Sequence, residues 1–237
     1  MVTTRSFAVL GTLLAAGLAV FGMLVIRAVK QGREFDRFLS VRGAAECEVK
    51  STLAIWPLRF AVSAEELPEL KTSMGSARAI VLGYLREHGM AENEINFGLP
   101  QINDRREESY QQNGGPPLPR YKAVVTLVVR SNQVDRVKEA IQQADQLLSK
   151  GISLTGRENN ERPEFLFEGI NEVKPNLIEE ATANARLSAE KFAHDSHARV
   201  GAIRRATQGV LEIEDRDAAS PEIKRLRVVT TVDFFLQ

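Results

Sequence analysis

From Phe38 to Lys50 apolar and small residues alternate with polar ones, Leu39, Val41, Gly43, Ala45, Cys47 and Val49 falling on one side. A period of two is the signature of a half-buried strand. The same period resumes after Ser51-Thr52 with Ala54, Trp56, Leu58, Phe60 and Val62, so the two segments are expected to form an antiparallel hairpin, with Pro57 at an edge or bulge and Trp56 as packing. The period then lengthens. Leu67, Leu70, Met74, Ala77, Val81 and Leu85 recur at three and four residues, one face of a helix ending near Gly89, with Ser63 and Glu66 at capping-box spacing. Val134, Val137, Ile141, Ala144 and Leu148 mark a second helix between Asn132 and Gly151. A third runs from Pro175 to about His197, its inner stripe Leu177, Ala181, Ala185, Ala189 and Phe192 narrow enough to let another surface approach closely.

Between the helices lie paired strand segments. Glu94 to Glu108 and Arg120 to Arg130 flank the breaker cluster Asn113-Gly114-Gly115-Pro116-Pro117. Ile152 to Glu158 and Glu164 to Asn171 form the next pair, and Val200 to Glu214 with Glu222 to Leu236 the last. Hairpins alternating with three helices define an α+β fold with antiparallel sheets, because a parallel sheet needs single strands between helices. Phe38 to Lys50 and Glu222 to Leu236 carry no proline and are expected to be the outer, pairable strands, which favours a homo-oligomer.

Ahead of all this, Ser6 to Ile26 is a run of 21 uncharged residues between Arg5 and Arg27. At about 1.5 Å per residue it matches the roughly 30 Å hydrocarbon core of a bilayer. Residues 1–30 are therefore expected to be a membrane anchor, with a transmembrane helix over 6–26, and residues 31–237 the folded domain. The alternative is a cleaved signal peptide ending near Gly17-Leu18-Ala19, but its apolar part is ordinarily shorter. Arg27, Lys30, Arg33 and Arg37 follow the run and, taken alone, place the large domain in the cytoplasm.

Composition adds little about partners. Basic and acidic residues number 31 each, so no net field draws the chain to nucleic acid or to acidic lipid. The single cysteine, Cys47, excludes an intrachain disulfide and is expected to be a buried, inert thiol.

Several short segments resemble the SIMPL-domain family of bacterial envelope proteins, over most of residues 38–237. They are Val41-Arg42-Gly43-Ala44-Ala45, Gly151-Ile152-Ser153, Phe165-Leu166-Phe167 leading to Lys174-Pro175, the helix with Ala181, Ala185, Ala189 and Ala193, and Arg199-Val200-Gly201-Ala202-Ile203. Trp56-Pro57-Leu58 departs from the family, many of whose members carry a helix-starting Pro-Asp there, so the first helix boundary does not transfer. The resemblance implies an extracytoplasmic α+β domain, in some members assembled into rings or channel-like oligomers and in some linked to tolerance of oxidative stress. It supplies no catalytic residue, cofactor or metal ligand. On that resemblance the chain is expected to sit in the inner membrane with its C-terminal domain periplasmic, noncatalytic, and either self-assembling or bound to an envelope partner.

The competing class is a membrane-bound hydrolase or metalloenzyme. Its residues would be His194, Asp195 and His197, because two imidazoles and a carboxylate on one helix face could hold a metal. A further protein ligand from elsewhere is required, the glutamate of a His-Glu-x-x-His site is missing, and a helix end attracts histidines for dipole reasons alone. Gly151-Ile152-Ser153-Leu154-Thr155-Gly156 is one residue too long for a nucleophile elbow and follows a helix instead of a strand. Arg204-Arg205 and Lys224-Arg225-Leu226-Arg227 read as solvated strand faces.

Overall fold

The computed structural model describes residues 14–15, 17–27, 37–106, 118–155 and 162–237. Within them the chain is α+β, with antiparallel sheets and five helices, and it divides into two compact units. Unit 1 comprises Met1–Cys47, Asn171–Glu212 and Leu226–Gln237, and unit 2 comprises Glu48–Ile170 and Ile213–Arg225. Residues 14–15 and 17–27 are helical, and we label 17–27 as α1. No helix among the described residues is long and apolar enough to cross a membrane. Much of the expected span over 6–26 lies outside the described residues.

Unit 1 is built on β1 (Phe38–Lys50), α5 (Ile170–Asp195), β8 (Val200–Gln208) and β10 (Ile223–Leu236). The sheet order is β1-β10-β8, with β9 (Glu212–Asp215) also pairing β10. Val41, Val232 and Phe234 pack with Ala185 and Ala189 of α5, and Leu39 and Val200 close the cluster. The helix comes close because its inner row, Leu177, Ala181, Ala185, Ala189 and Ala193, repeats every four residues and ends each time in a small side chain after the first. Opposite it stands Gly43, where an added Cβ would lie 2.9 Å from the Cα of Ala185 and closer still to the carbonyl oxygen of Ala181 and the nitrogen of Ala185.

Four expectations for this unit change. The helix begins at Ile170, so Pro175 lies inside it, and it ends at Asp195, short of His197. Phe192 is exposed and Ala193 takes its place in the row, because a spacing of four from Ala189 is what keeps the face in line. β10 is the central strand, not an outer one: it is flanked by β1 and β8, and Leu226, Val228, Val232 and Phe234 are fully buried. The outer strands of this path are β1 and β8.

Unit 2 is organised by β2 (Leu53–Ala64) and β5 (Tyr121–Ser131), paired antiparallel from Ala54↔Ser131 to Ala64↔Tyr121. β3 (Ile95–Phe97) and β4 (Gln101–Asp104) pair with β5, and β6 (Ser153–Leu154) and β7 (Glu164–Leu166) with β2. β6 and β7 are thus neighbours of β2 and not the mutual pair expected from the sequence. Pro57 falls between the β7 contacts at 53–55 and the β6 contacts at 60–61, with no ladder partner on that side among the described residues. Trp56 is buried in the core with Phe60, Val81, Leu127, Val129 and Val137.

The helices of unit 2 are α2 (Leu67–Glu87), α3 (Val134–Gln142) and α4 (Gln146–Ser149). Glu66 is the N-cap of α2 and makes no side-chain cap bond, so the expected capping box with Ser63, a β2 residue, does not form. Pro68 is accommodated in the first turn, where no intrahelical N–H is needed. The second expected helix is broken into α3 and α4 because the amides of Gln146, Leu147 and Leu148 bond three residues back, tightening the chain out of the α-helical register. The expected hairpin of β1 with β2 also fails. Ser51 donates its N–H to Glu222 and Thr52 to Leu166, which leads the chain from one sheet into the other.

Candidate functional site

In unit 1 the accessible feature is an outer strand. β8 pairs with β10 on one side, and its residues 202–208 are exposed on both faces. Antiparallel pairing runs from Thr230↔Gln208 to Leu236↔Val200, with register shifts around Phe234. An outer strand of this kind offers a row of backbone donors and acceptors to a further strand. Ile203 is exposed on β8 with its chain neighbours Arg204 and Arg205, and Val210 is exposed beyond the strand's end.

In unit 2 a hollow of about 610 Å³ is walled by three segments. α3 supplies Lys138, Ile141 and Gln142, the approach to β7 supplies Arg162, Pro163 and Phe165, and the β9–β10 connection supplies Asp215 and Pro221. That connection is held by Asp217. Its Oδ1 accepts the N–H groups of Ala219 and Ser220 at 2.9 and 2.8 Å, and its Oδ2 accepts from Arg216 Nε at 2.8 Å. The Arg216 bond, reinforced by those backbone amides, holds the Asp217 carboxyl below the usual carboxylate range. Lys224 pairs with Asp215. Lys138 Nζ donates to Glu222 Oε1 at 2.5 Å, and these side chains are 29% and 9% exposed. Glu222 Oε2 is buried and has no partner among the described residues. Most of the charge around the hollow is therefore committed to ion pairs.

The sequence-derived candidates do not converge. His194 Nδ1 lies 3.5 Å from Asp195 Oδ1, but both side chains are nearly free in solvent, at 90% and 82% exposure. His197 is beyond the end of α5 with φ of 57°, so it does not share a helix face with them. Among the described residues no group of three or more His, Cys, Asp or Glu is placed to hold a metal ion. Ser153 lies on the two-residue strand β6, opposite Ala61. Cys47 is half-buried, and burial, with the nearby Glu180 carboxylate second, raises its thiol pKa, which disfavours the reactive thiolate. In the basic run, Arg225 and Arg227 pair with Glu214 and Glu46, whereas Lys224 is buried on the side of Leu226 and does not face solvent.

The Lys138–Glu222 pair escaped the sequence reading. Its members are 84 residues apart, and no local spacing joins them. The one available signal was alternation: Glu222 keeps step with Lys224, Leu226 and Val228, all on the buried side.

A two-unit α+β domain of antiparallel sheets, with an open outer strand and a hollow of paired charges, defines the class. The chain matches the SIMPL family model, described as a protein of unknown function (DUF541), over residues 39–233, and it belongs to that family. No curated protein matches it.

Proposed function

We propose that the protein is a noncatalytic envelope protein, tethered to the inner membrane through residues 6–26, whose extracytoplasmic domain associates with further copies of itself through its outer strands. The observation that carries this reading is β8, a nine-residue strand with one neighbour among the described residues and both faces exposed. Lone strands of that length are ordinarily covered or paired. The tether is supported by the uncharged run and by Leu18, Phe21, Leu24 and Ile26, which are exposed around α1 among the described residues.

The test is the mass of the full chain in mild detergent, by light scattering with the micelle subtracted, for the wild type and for Thr207→Pro in β8. An oligomer that dissociates on the proline substitution, with circular dichroism unchanged, is expected. A monomer over a wide concentration range removes the assembly. Orientation is read separately, by a reporter fused after Gln237 that is active only in an oxidising compartment. Silence of that reporter, with a cytoplasmic reporter active at the same junction, would reverse the topology.

A further inference from the structure

We infer that the end of unit 1 where β1 begins is a contact surface for the anionic lipid headgroups of the bilayer holding the N-terminal segment. The inference rests on the tether proposed above and goes beyond it by naming what the domain touches. Backbone bonds fix which groups share this end. Arg37 O accepts the N–H of Leu236 at 3.0 Å, Arg199 and Gln237 exchange N–H···O bonds at 2.8 and 2.9 Å, and Ala198 N–H reaches Ala193 O at 2.8 Å. The start of β1, the end of β10, the start of β8 and the last turn of α5 therefore lie together.

Chain length keeps this end near the membrane. The steps from Arg27, the last described residue of α1, to Arg37 cover at most about 36 Å even when fully extended, at roughly 3.6 Å each. Two aromatic rings stand out there. Phe192 is 60% exposed on α5, turned away from the buried alanine row, and Phe38 is also exposed, with the Arg204 guanidinium 4.3 Å from its ring centroid. Arg37, Lys191 and Arg199 are exposed at the same end, where Glu190 and Asp195 are the acidic members of the helix and Asp195 already sits beside His194. Aromatic side chains among excess cations match the interfacial layer of a bilayer, rings at headgroup depth and guanidinium or ammonium groups on phosphate. On this reading His194 and His197 belong to a polar contact face, and Phe192 is exposed because its partner is lipid.

The experiment uses the full chain with Phe192→Trp, reconstituted in vesicles that carry a headgroup-region spin-label quencher. Trp56, buried in unit 2, serves as the unquenched reference. Quenching at position 192 is expected in vesicles containing phosphatidylglycerol and not in pure phosphatidylcholine. It should be relieved at 1 M salt, where screening falls to about 3 Å, and in the Arg37→Gln/Arg199→Gln double variant, by about fivefold or more in the contact equilibrium per charge removed. A protein that floats with vesicles but shows no quenching at 192, or equal quenching in both lipids, overturns the lipid-contact inference and leaves the tether standing. A protein that does not float overturns both.

Discussion

Gly43→Ala is expected to destabilise unit 1 severely for so small a change. The new methyl would meet main-chain atoms of α5 at Ala181 and Ala185, the Ala185 Cα at 2.9 Å and two others closer. No rotamer change can relieve a clash with backbone, so α5 must lift from β1. Lifting opens the row at Ala181, Ala185 and Ala189, all fully buried. Overpacking of a core costs about 1–3 kcal/mol, and clashes with main chain belong at the upper end. Against this, losing glycine's freedom in the unfolded chain returns about 0.4–1 kcal/mol. The net expectation is a loss of about 2–2.6 kcal/mol, or a fall in melting temperature of roughly 4–10 °C for a chain of this size. Gly83→Ala in α2 is the matched control. Nothing lies within 4 Å of its added Cβ beyond the helix's own backbone, so a gain of about 0.5–1 kcal/mol is expected. Urea and thermal unfolding of both variants give the two energies, and amide exchange along α5 locates the damage. A Gly43→Ala protein within about 0.5 kcal/mol of wild type would refute the close approach of β1 and α5.

Lys138→Met should cost about 3 kcal/mol by stranding the Glu222 carboxylate, whereas Lys138→Met with Glu222→Leu should recover most of that loss. Equal urea midpoints for wild type and the single variant would show that the pair contributes nothing. Tyr84 donates its hydroxyl to Ala140 O at 2.5 Å, and burial, with the Asp145 charge second, pushes its pKa up to about 12. Because the folded value is raised above the unfolded one of about 10, its contribution is complete below pH 10 and is lost as pH rises toward 12. Tyr84→Phe should therefore be about 1–2 kcal/mol less stable than wild type at pH 8, with the gap closing in alkali. A gap that stays constant from pH 8 to 12 would contradict that linkage.

Local pattern carried the sequence reading as far as pattern reaches. The alternation of β1 and the three-four spacing of α2 were legible because burial on one face leaves a periodic trace. The family resemblance rested on short segments in a fixed order, all of which lie within the SIMPL match over 39–233. Pairing partners left no such trace. β1 and β2 read as one hairpin because the break at Ser51-Thr52 has turn chemistry, yet the amides of those residues bond to Glu222 and Leu166, over a hundred positions away in sequence. The shared helix face assumed for His194, Asp195 and His197 does not form, for a local reason. Its geometry assumed two more residues of helix, and the chain leaves the helix at Asp195 to take a left-handed φ at His197.

The exchange of roles between β10 and β8 shows which signal separates inner strands from outer ones. β10 is buried at Val228, Thr230, Val232 and Phe234, and the residues between them, Val229, Thr231, Asp233 and Phe235, are half-buried. A strand apolar on both faces needs cover on both, which a central position supplies. β8 reads Ala202, Ile203, Arg204, Arg205, Ala206, Thr207 and Gln208, with no apolar face at all. Absence of proline, the criterion applied to the sequence, says only that a strand can be paired. It does not say where the strand sits. Charge on an outer strand also limits what it accepts: Arg204 and Arg205 oppose an identical basic edge laid beside them and favour one with carboxylates. β1, the opposite outer strand, exposes Arg42 and Lys50 together with Glu46 and Glu48, and those two carboxylates already pair with Arg227 and Arg216, so charge alone does not select it. An assembly that joins β8 of one copy to β1 of the next is heterologous, so it propagates in one direction and closes into a ring only where the rotation between copies allows.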